Sequence, residues 1–238
     1  MPELHVLRVF IGSGGFGGNP LGVFLDGAAI PEGRRQAVAA DLGFSETVFV
    51  ESIDAAGRRA TVRIFTPTAE LPFAGHPTVG TAWLLAETGT PVDHLDCPAG
   101  EVATWVEDER RWVRARSSWV HEFAIEKLPS VEAVDAQTPP AMGAPGRYVW
   151  AWENEVQGRL RARYFATDYG ILEDEATGAA SVRMGYRLGR PLVINQGVGS
   201  EIRVRPEPDV APDAVAVGGI VASVETRAYE DPGAGSTA

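Results

Sequence analysis

The sequence predicts an α+β fold of two pseudo-symmetric lobes, each a barrel-like sheet around a central helix, and three observations carry that prediction. Short runs of alternating polar and apolar residues dominate the chain, helical patterns are few, and one strand-loop-helix unit recurs about 100 residues later.

The elements follow in order. LHVLRVF (4–10), LGVFL (21–25), ETVFV (46–50) and ATVRIF (60–65) show the period of two that a half-buried strand requires. EVATWVE (101–107), RWVRAR (111–116), RYVWAW (147–152) and RLRARYF (159–165) show it again. Three segments read as helices: PEGRRQAVAADLG (31–43), PTVGTAWLLAE (77–87) and EATGAASVRMGYRLG (175–189). The helix at 77–87 carries no charge before Glu87, so it has no wet face and must be wrapped on every side, for which the strands are the natural wrapping. Residues 129–146, rich in proline and alanine, read as a loop with one short helix. Residues 230–238 are expected to be a disordered tail.

The repeat rests on Arg63-Ile64-Phe65 matching Arg163-Tyr164-Phe165, followed by His76, Gly80 and Ala82 falling on Asp174, Gly178 and Ala180 at a common offset of 98 residues. Gly89 and Gly189 close the two helices as C-caps. The lobes are therefore expected at 1–112 and 113–229.

Composition narrows the function. The chain has 238 residues, 45% of them apolar, and a formal charge of −11 without long charge runs, which disfavours nucleic acid or an anionic membrane as partner. No apolar run spans a bilayer, MPELHVLRVF lacks the build of a secretory signal, and a lone Cys97 offers no internal disulfide, so a cytoplasmic location is expected. The four histidines lie far apart without ligand spacing, so no metal site is argued. GSGGFG at 12–17 satisfies the dinucleotide glycine pattern, yet the strand LGVFL follows where a helix is needed, and nucleotide binding is rejected. The glycines are expected to form a loop, with Asn19-Pro20 turning the chain.

Acid-base chemistry remains. In FSETVFV, period two puts Glu46 in a row with Phe44, Val48 and Val50, where burial raises a carboxyl toward the range of a general base; the bland alternative is a strand end reaching water. His76 precedes Pro77, a favoured first helical residue, so His76 or Gly75 is expected to cap the helix although histidine caps poorly. Asp174 is expected at the equivalent place in the second copy, where aspartate is a good cap in its own right. Two lobes facing across a cleft would bring both helix N-termini together as an anion site flanked by Glu46, His76 and Asp174.

GGNPLGVF (17–24), FSETVFV (44–50), RIFTPTAELPFAGHPTVGTAWLL (63–85) and EDEATGAA (173–180) closely resemble the PhzF-like isomerases of phenazine biosynthesis, relatives of diaminopimelate epimerase. The resemblance implies a diaminopimelate epimerase-like fold, a homodimer, no cofactor and no metal. It also implies a reaction that moves a proton between carbons of a small carboxylate-bearing cyclic metabolite. By carry-over, Glu46 shuttles the proton while His76 and Asp174 assist; Asn19, Gly75, Pro77, Thr78, Thr177, Gly178, Ala179 and Ser200 fall at substrate-binding positions. Gly75 stands where epimerase relatives carry a catalytic cysteine, so two-thiol racemase chemistry is excluded. Three features depart from the family pattern: Glu175 replaces a proline, Ala179 replaces a serine, and Gly197-Val198-Gly199-Ser200 stands for a usual G-R-P-S. These changes keep a second possibility open, a noncatalytic ligand-binding or interaction protein on the same fold.

Overall fold

The computed structural model describes residues 1–230, so the expected disordered tail lies, beyond Glu230, outside the described residues. The chain runs β1 (Glu3–Ile11), β2 (Gly17–Phe24), α1 (Glu32–Leu42), β3 (Glu46–Asp54), β4 (Arg59–Phe65), β5 (Glu70–Leu71), α2 (Gly75–Glu87), β6 (His94–Cys97), β7 (Gly100–Glu107) and β8 (Arg110–Arg116). It continues through β9 (Ala124–Lys127), α3 (Val131–Asp135), β10 (Arg147–Asn154), β11 (Arg159–Ala166), β12 (Ile171–Asp174), α4 (Gly178–Leu188), β13 (Leu192–Gln196), β14 (Ser200–Pro206) and β15 (Ala214–Ala228).

The eight expected strands and three expected helices are present. One sheet runs through both lobes in the order β1-β2-β3-β4-β6-β7-β8-β15-β14-β13-β11-β10-β9, with β5 on β4 and β12 on β11. Because β15 also pairs with β1, the first eight strands of that order close into a ring around α2. Period two sorts the side chains: Val48 and Val50 of β3 join the enclosed core, while Phe49 turns outward and stacks on Phe24 at 5.3 Å beneath α1. Phe44 packs with that outer cluster, not in the row of Glu46, because β3 begins only at Glu46.

α2 is buried along nearly its whole length, as an all-apolar helix must be. α4 differs. It packs on β14 and β15 and against α2, while Tyr186 on its outer face is 54% exposed, since among the described residues β9 ends the second sheet without returning to close a ring.

β15 escaped the strand pattern because Gly218-Gly219 interrupts it. Both glycines are needed: a Cβ at Gly218 would lie 2.3 Å from the Trp112 ring, and one at Gly219 2.5 Å from Phe10. Its first half pairs with β8 and β14 and its second half with β1, so one strand belongs to both sheets. The expected lobe boundary at residue 112 falls inside β8.

Asn19-Pro20 does not turn the chain. The turn occupies residues 13–15, and Asn19 and Pro20 sit within β2, where Pro20 lies just before pairing with β3 begins at Leu21. A residue without an N–H is tolerated at such a half-paired position.

Candidate active site

Helix geometry positions the site. α2 begins at Gly75 after the N-cap Ala74, so His76 is the second helical residue and Pro77 the third; the expected cap at His76 or Gly75 is corrected. α4 begins at Gly178 with Thr177 as N-cap, so Asp174 is no cap: it ends β12. The equivalent positions of the two copies are therefore Gly75 and Gly178, and the offset of 98 that paired His76 with Asp174 is corrected. The physical reason is contact. A Cβ at either glycine would lie 2.7 Å from the Cα of the other, so the two helix ends meet backbone to backbone and tolerate no side chain.

Around that junction lies a buried polar network centred on Asn19, which is fully buried on β2. Its Nδ2 donates to Asp174 Oδ1 at 2.6 Å and to the Ala176 carbonyl at 3.0 Å, and it stands 3.4 Å from His76 Nδ1. Its Oδ1 accepts from Ser45 Oγ at 3.2 Å. These partners fix the orientation of the amide, whose two N–H groups are taken up by Asp174 and the Ala176 carbonyl. Thr177 Oγ1 donates to Asp174 Oδ2 at 2.5 Å and accepts from Gln196 Nε2 at 2.8 Å.

Glu46 stands against this network without sharing its bonds. Its side chain is 12% exposed and its Oε2, 3.4 Å from His76 Nδ1, has no hydrogen-bond partner among the described residues. Burial pushes the Glu46 carboxyl well above the usual carboxylate range, and the neighbouring Asp174 pushes it further. Burial also raises Asp174, but hydrogen bonds from Thr177, Asn19 and Ser45 oppose the rise. Burial lowers His76 to about 3, with the backbone of Pro20 opposing, so its ring is neutral at neutral pH. The two carboxyls thus differ in environment: donors oppose the rise at Asp174, whereas Glu46 is raised by burial with its Oε2 unpartnered among the described residues.

The cavity beside this group is narrow, about 40 Å³ in this structure. Glu46, Asp174, Thr177 and Ala179 line it; Asn19 and His76 stand behind them as the supporting network, and Gly75 and Gly178 form the junction beneath. Pro77 and Thr78 are buried in the first turn of α2, where the Thr78 hydroxyl donates to the Ala74 and Gly75 carbonyls. Ser200 lies elsewhere. Its hydroxyl accepts from the Gly18 N–H at 2.8 Å and donates to Glu175 at 2.7 Å, and Glu175 also accepts from the Val198 N–H at 2.9 Å. The carboxylate at the usual proline position therefore clamps the loop of the altered 197–200 segment.

Sequence reasoning missed Ser45 and Gln196 in the network and the second-lobe wall of the cavity, where His121, Phe123, Tyr164 and Tyr169 stand. Tyr164 alone had left a signal, in the RIF/RYF match. Among the described residues no group of three or more histidine, cysteine or carboxylate side chains could hold a metal, and no helix is long and apolar enough to cross a membrane.

Comparison with known proteins bears on the family and the fold. The family profile PhzC-PhzF, described as phenazine biosynthesis-like protein, matches residues 9–138. The chain is 32% identical over 226 residues to the trans-2,3-dihydro-3-hydroxyanthranilate isomerase of Pseudomonas fluorescens, covering 76% of this chain and 81% of that one. It is 45% identical over 214 residues to an uncharacterized isomerase of Deinococcus radiodurans, covering 68% of each. A crystal structure of a Bacillus anthracis phenazine biosynthesis protein of the PhzF family superposes with a TM-score of 0.77 over 96% of this chain and 99% of that one, at 19% identity, which speaks to the fold.

Proposed function

The chain belongs to the phenazine biosynthesis-like PhzC-PhzF family and is an isomerase, and from that premise we propose that it moves a carbon-bound proton within a small cyclic carboxylate, with Glu46 as the shuttle and no cofactor. The observation that carries this reading is the Glu46 carboxyl: buried in the cavity wall, unpartnered at Oε2 and raised beside a hydrogen-bonded Asp174. A base so placed can take a proton from one carbon and, after exchange with solvent, deliver one to a second carbon. In its ionised form Glu46 removes the proton, His76, with Nδ1 3.4 Å from Oε2, assists it, and Asp174 orients the substrate. The free N–H groups at the two abutting helix ends anchor the substrate carboxylate.

The relatives named trans-2,3-dihydro-3-hydroxyanthranilate isomerase make that compound the first substrate to test. Ala179 presents a methyl to the cavity where the resemblance gives a serine, which favours a ligand carboxylate held by backbone N–H groups alone. The reading includes the homodimer that the resemblance implies.

The test is incorporation of deuterium from D2O into that substrate, followed by NMR together with product formation. The expected result is turnover with label at the accepting carbon, reduced on the order of 10²–10⁴-fold in Glu46→Gln. Binding without label or product would overturn the catalytic reading in favour of a ligand-binding protein, and full turnover by Glu46→Gln would overturn the role of Glu46.

A further inference from the structure

The second-lobe wall of the cavity carries a polar atom that the proton chemistry does not use. Tyr164, on β11, is 4% exposed and lines the cavity, yet its hydroxyl has no hydrogen-bond partner among the described residues. β11 and β12 place Tyr164 directly across from Asp174, so the phenol and the Asp174 carboxyl stand side by side on one face. The matching pair in the first lobe is Ile64 opposite Leu71, two apolar groups. The second lobe has made both members polar at the position that borders the site.

The surroundings of the hydroxyl tell what it awaits. The Phe123 ring packs against Tyr164 at 5.1 Å, and Tyr169 and His121 complete an aromatic wall in which their rings meet at 5.2 Å. Such a wall suits the faces of a ring, and the Asp168 carboxylate on the Gly146 side of the phenol makes no hydrogen bond with it. A buried hydroxyl left unpaired is disfavoured, and a group inside the cavity that Tyr164 lines can supply the partner. Burial, followed by the nearby Asp168 and Asp174 carboxyls, keeps the phenol protonated, so it acts as a donor.

We propose that Tyr164 is a substrate-contacting specificity residue whose hydroxyl donates a hydrogen bond to a ring oxygen substituent of a bound cyclic carboxylate. The inference rests on the cavity being the substrate site proposed above, and a site built around such a donor discriminates against ligands that lack the acceptor.

Calorimetric titration with benzoate and its three monohydroxy isomers tests it on the wild-type protein, Tyr164→Phe and Tyr148→Phe. Tyr148 is the control, an equally buried and unpartnered phenol that does not line the cavity. At least one hydroxy isomer is expected to bind wild type roughly tenfold more tightly than benzoate. Tyr164→Phe is expected to lose that gain while holding benzoate unchanged, and Tyr148→Phe to keep it. If no isomer gains in wild type, or if the gain survives in Tyr164→Phe or is lost equally in Tyr148→Phe, the role of Tyr164 is overturned while the carboxylate site stands. Failure of all four acids to bind wild type would overturn the site and the inference together.

Discussion

Asn19 is the residue on which the site's charge pattern depends. One amide donates to Asp174 and to the Ala176 carbonyl and stands 3.4 Å from His76 Nδ1. Asn19→Leu, of similar size, leaves Asp174 and the Ala176 carbonyl without that donor and is expected to destabilise the protein by about 1–3 kcal/mol in urea titration. The pH dependence has two opposed parts. Glu46 is raised above its ordinary 4.5, so its contribution to stability is fully present below that value and declines as pH rises through the folded value. His76 is lowered from 6.5 to about 3, so its contribution is present above 6.5 and is lost as pH falls toward 3. His76→Gln, which cannot take up that proton, is expected to flatten the loss of stability between pH 6.5 and 4, read as urea midpoints across that range. Activity needs ionised Glu46, so the rate is expected to rise with pH along a limb above the ordinary carboxylate range. Asp174→Asn removes the second cause of the rise and is expected to move the limb to lower pH in a rate profile, a limb that belongs to the coupled pair. At this scale Glu46 was legible because a charge in an apolar strand needs a reason. Ser200 does not line the cavity, its hydroxyl being taken up by Gly18 and Glu175, and sequence position does not show which way a hydroxyl turns.

Among the elements, the two helix starts carry the clearest steric demand. Gly178→Ala adds a methyl into the backbone of α2, at no left-handed backbone angle, and is expected to cost about 1–3 kcal/mol by urea denaturation. Gly33→Ala on α1 is the contrast: open space surrounds that position and its backbone is not left-handed, so a stabilisation of about 0.4–1 kcal/mol is expected from reduced freedom of the unfolded chain. The helices themselves were readable from charge-free and small-residue patterns. Their first residues were not, because Pro77 fits any position in a first turn and Asp174 is a good cap wherever the chain lets it be one. What set the starts was the collision of two helices distant in sequence.

For the whole molecule, β15 joins the lobes by pairing with β8, β14 and β1. Trp105 and Trp112 lie on the first ring, and Trp150 and Trp152 on the second sheet. Fluorescence of variants keeping only one pair is therefore expected to report one common urea transition, coincident with far-ultraviolet circular dichroism, since neither sheet is complete without β15. Two separated transitions would show independent lobes. The sequence by itself determined two similar lobes, strands wrapped on an enclosed helix and the presence of Glu46, His76 and Asp174, because alternation, charge-free runs and misplaced ionisable groups are local signals. Only the tertiary structure decided that Gly75 meets Gly178, that Glu175 clamps Ser200, that one face of α4 meets solvent and that Tyr164 stands beside Asp174. Each is a contact between segments far apart along the chain, and contacts of that kind are chosen by packing.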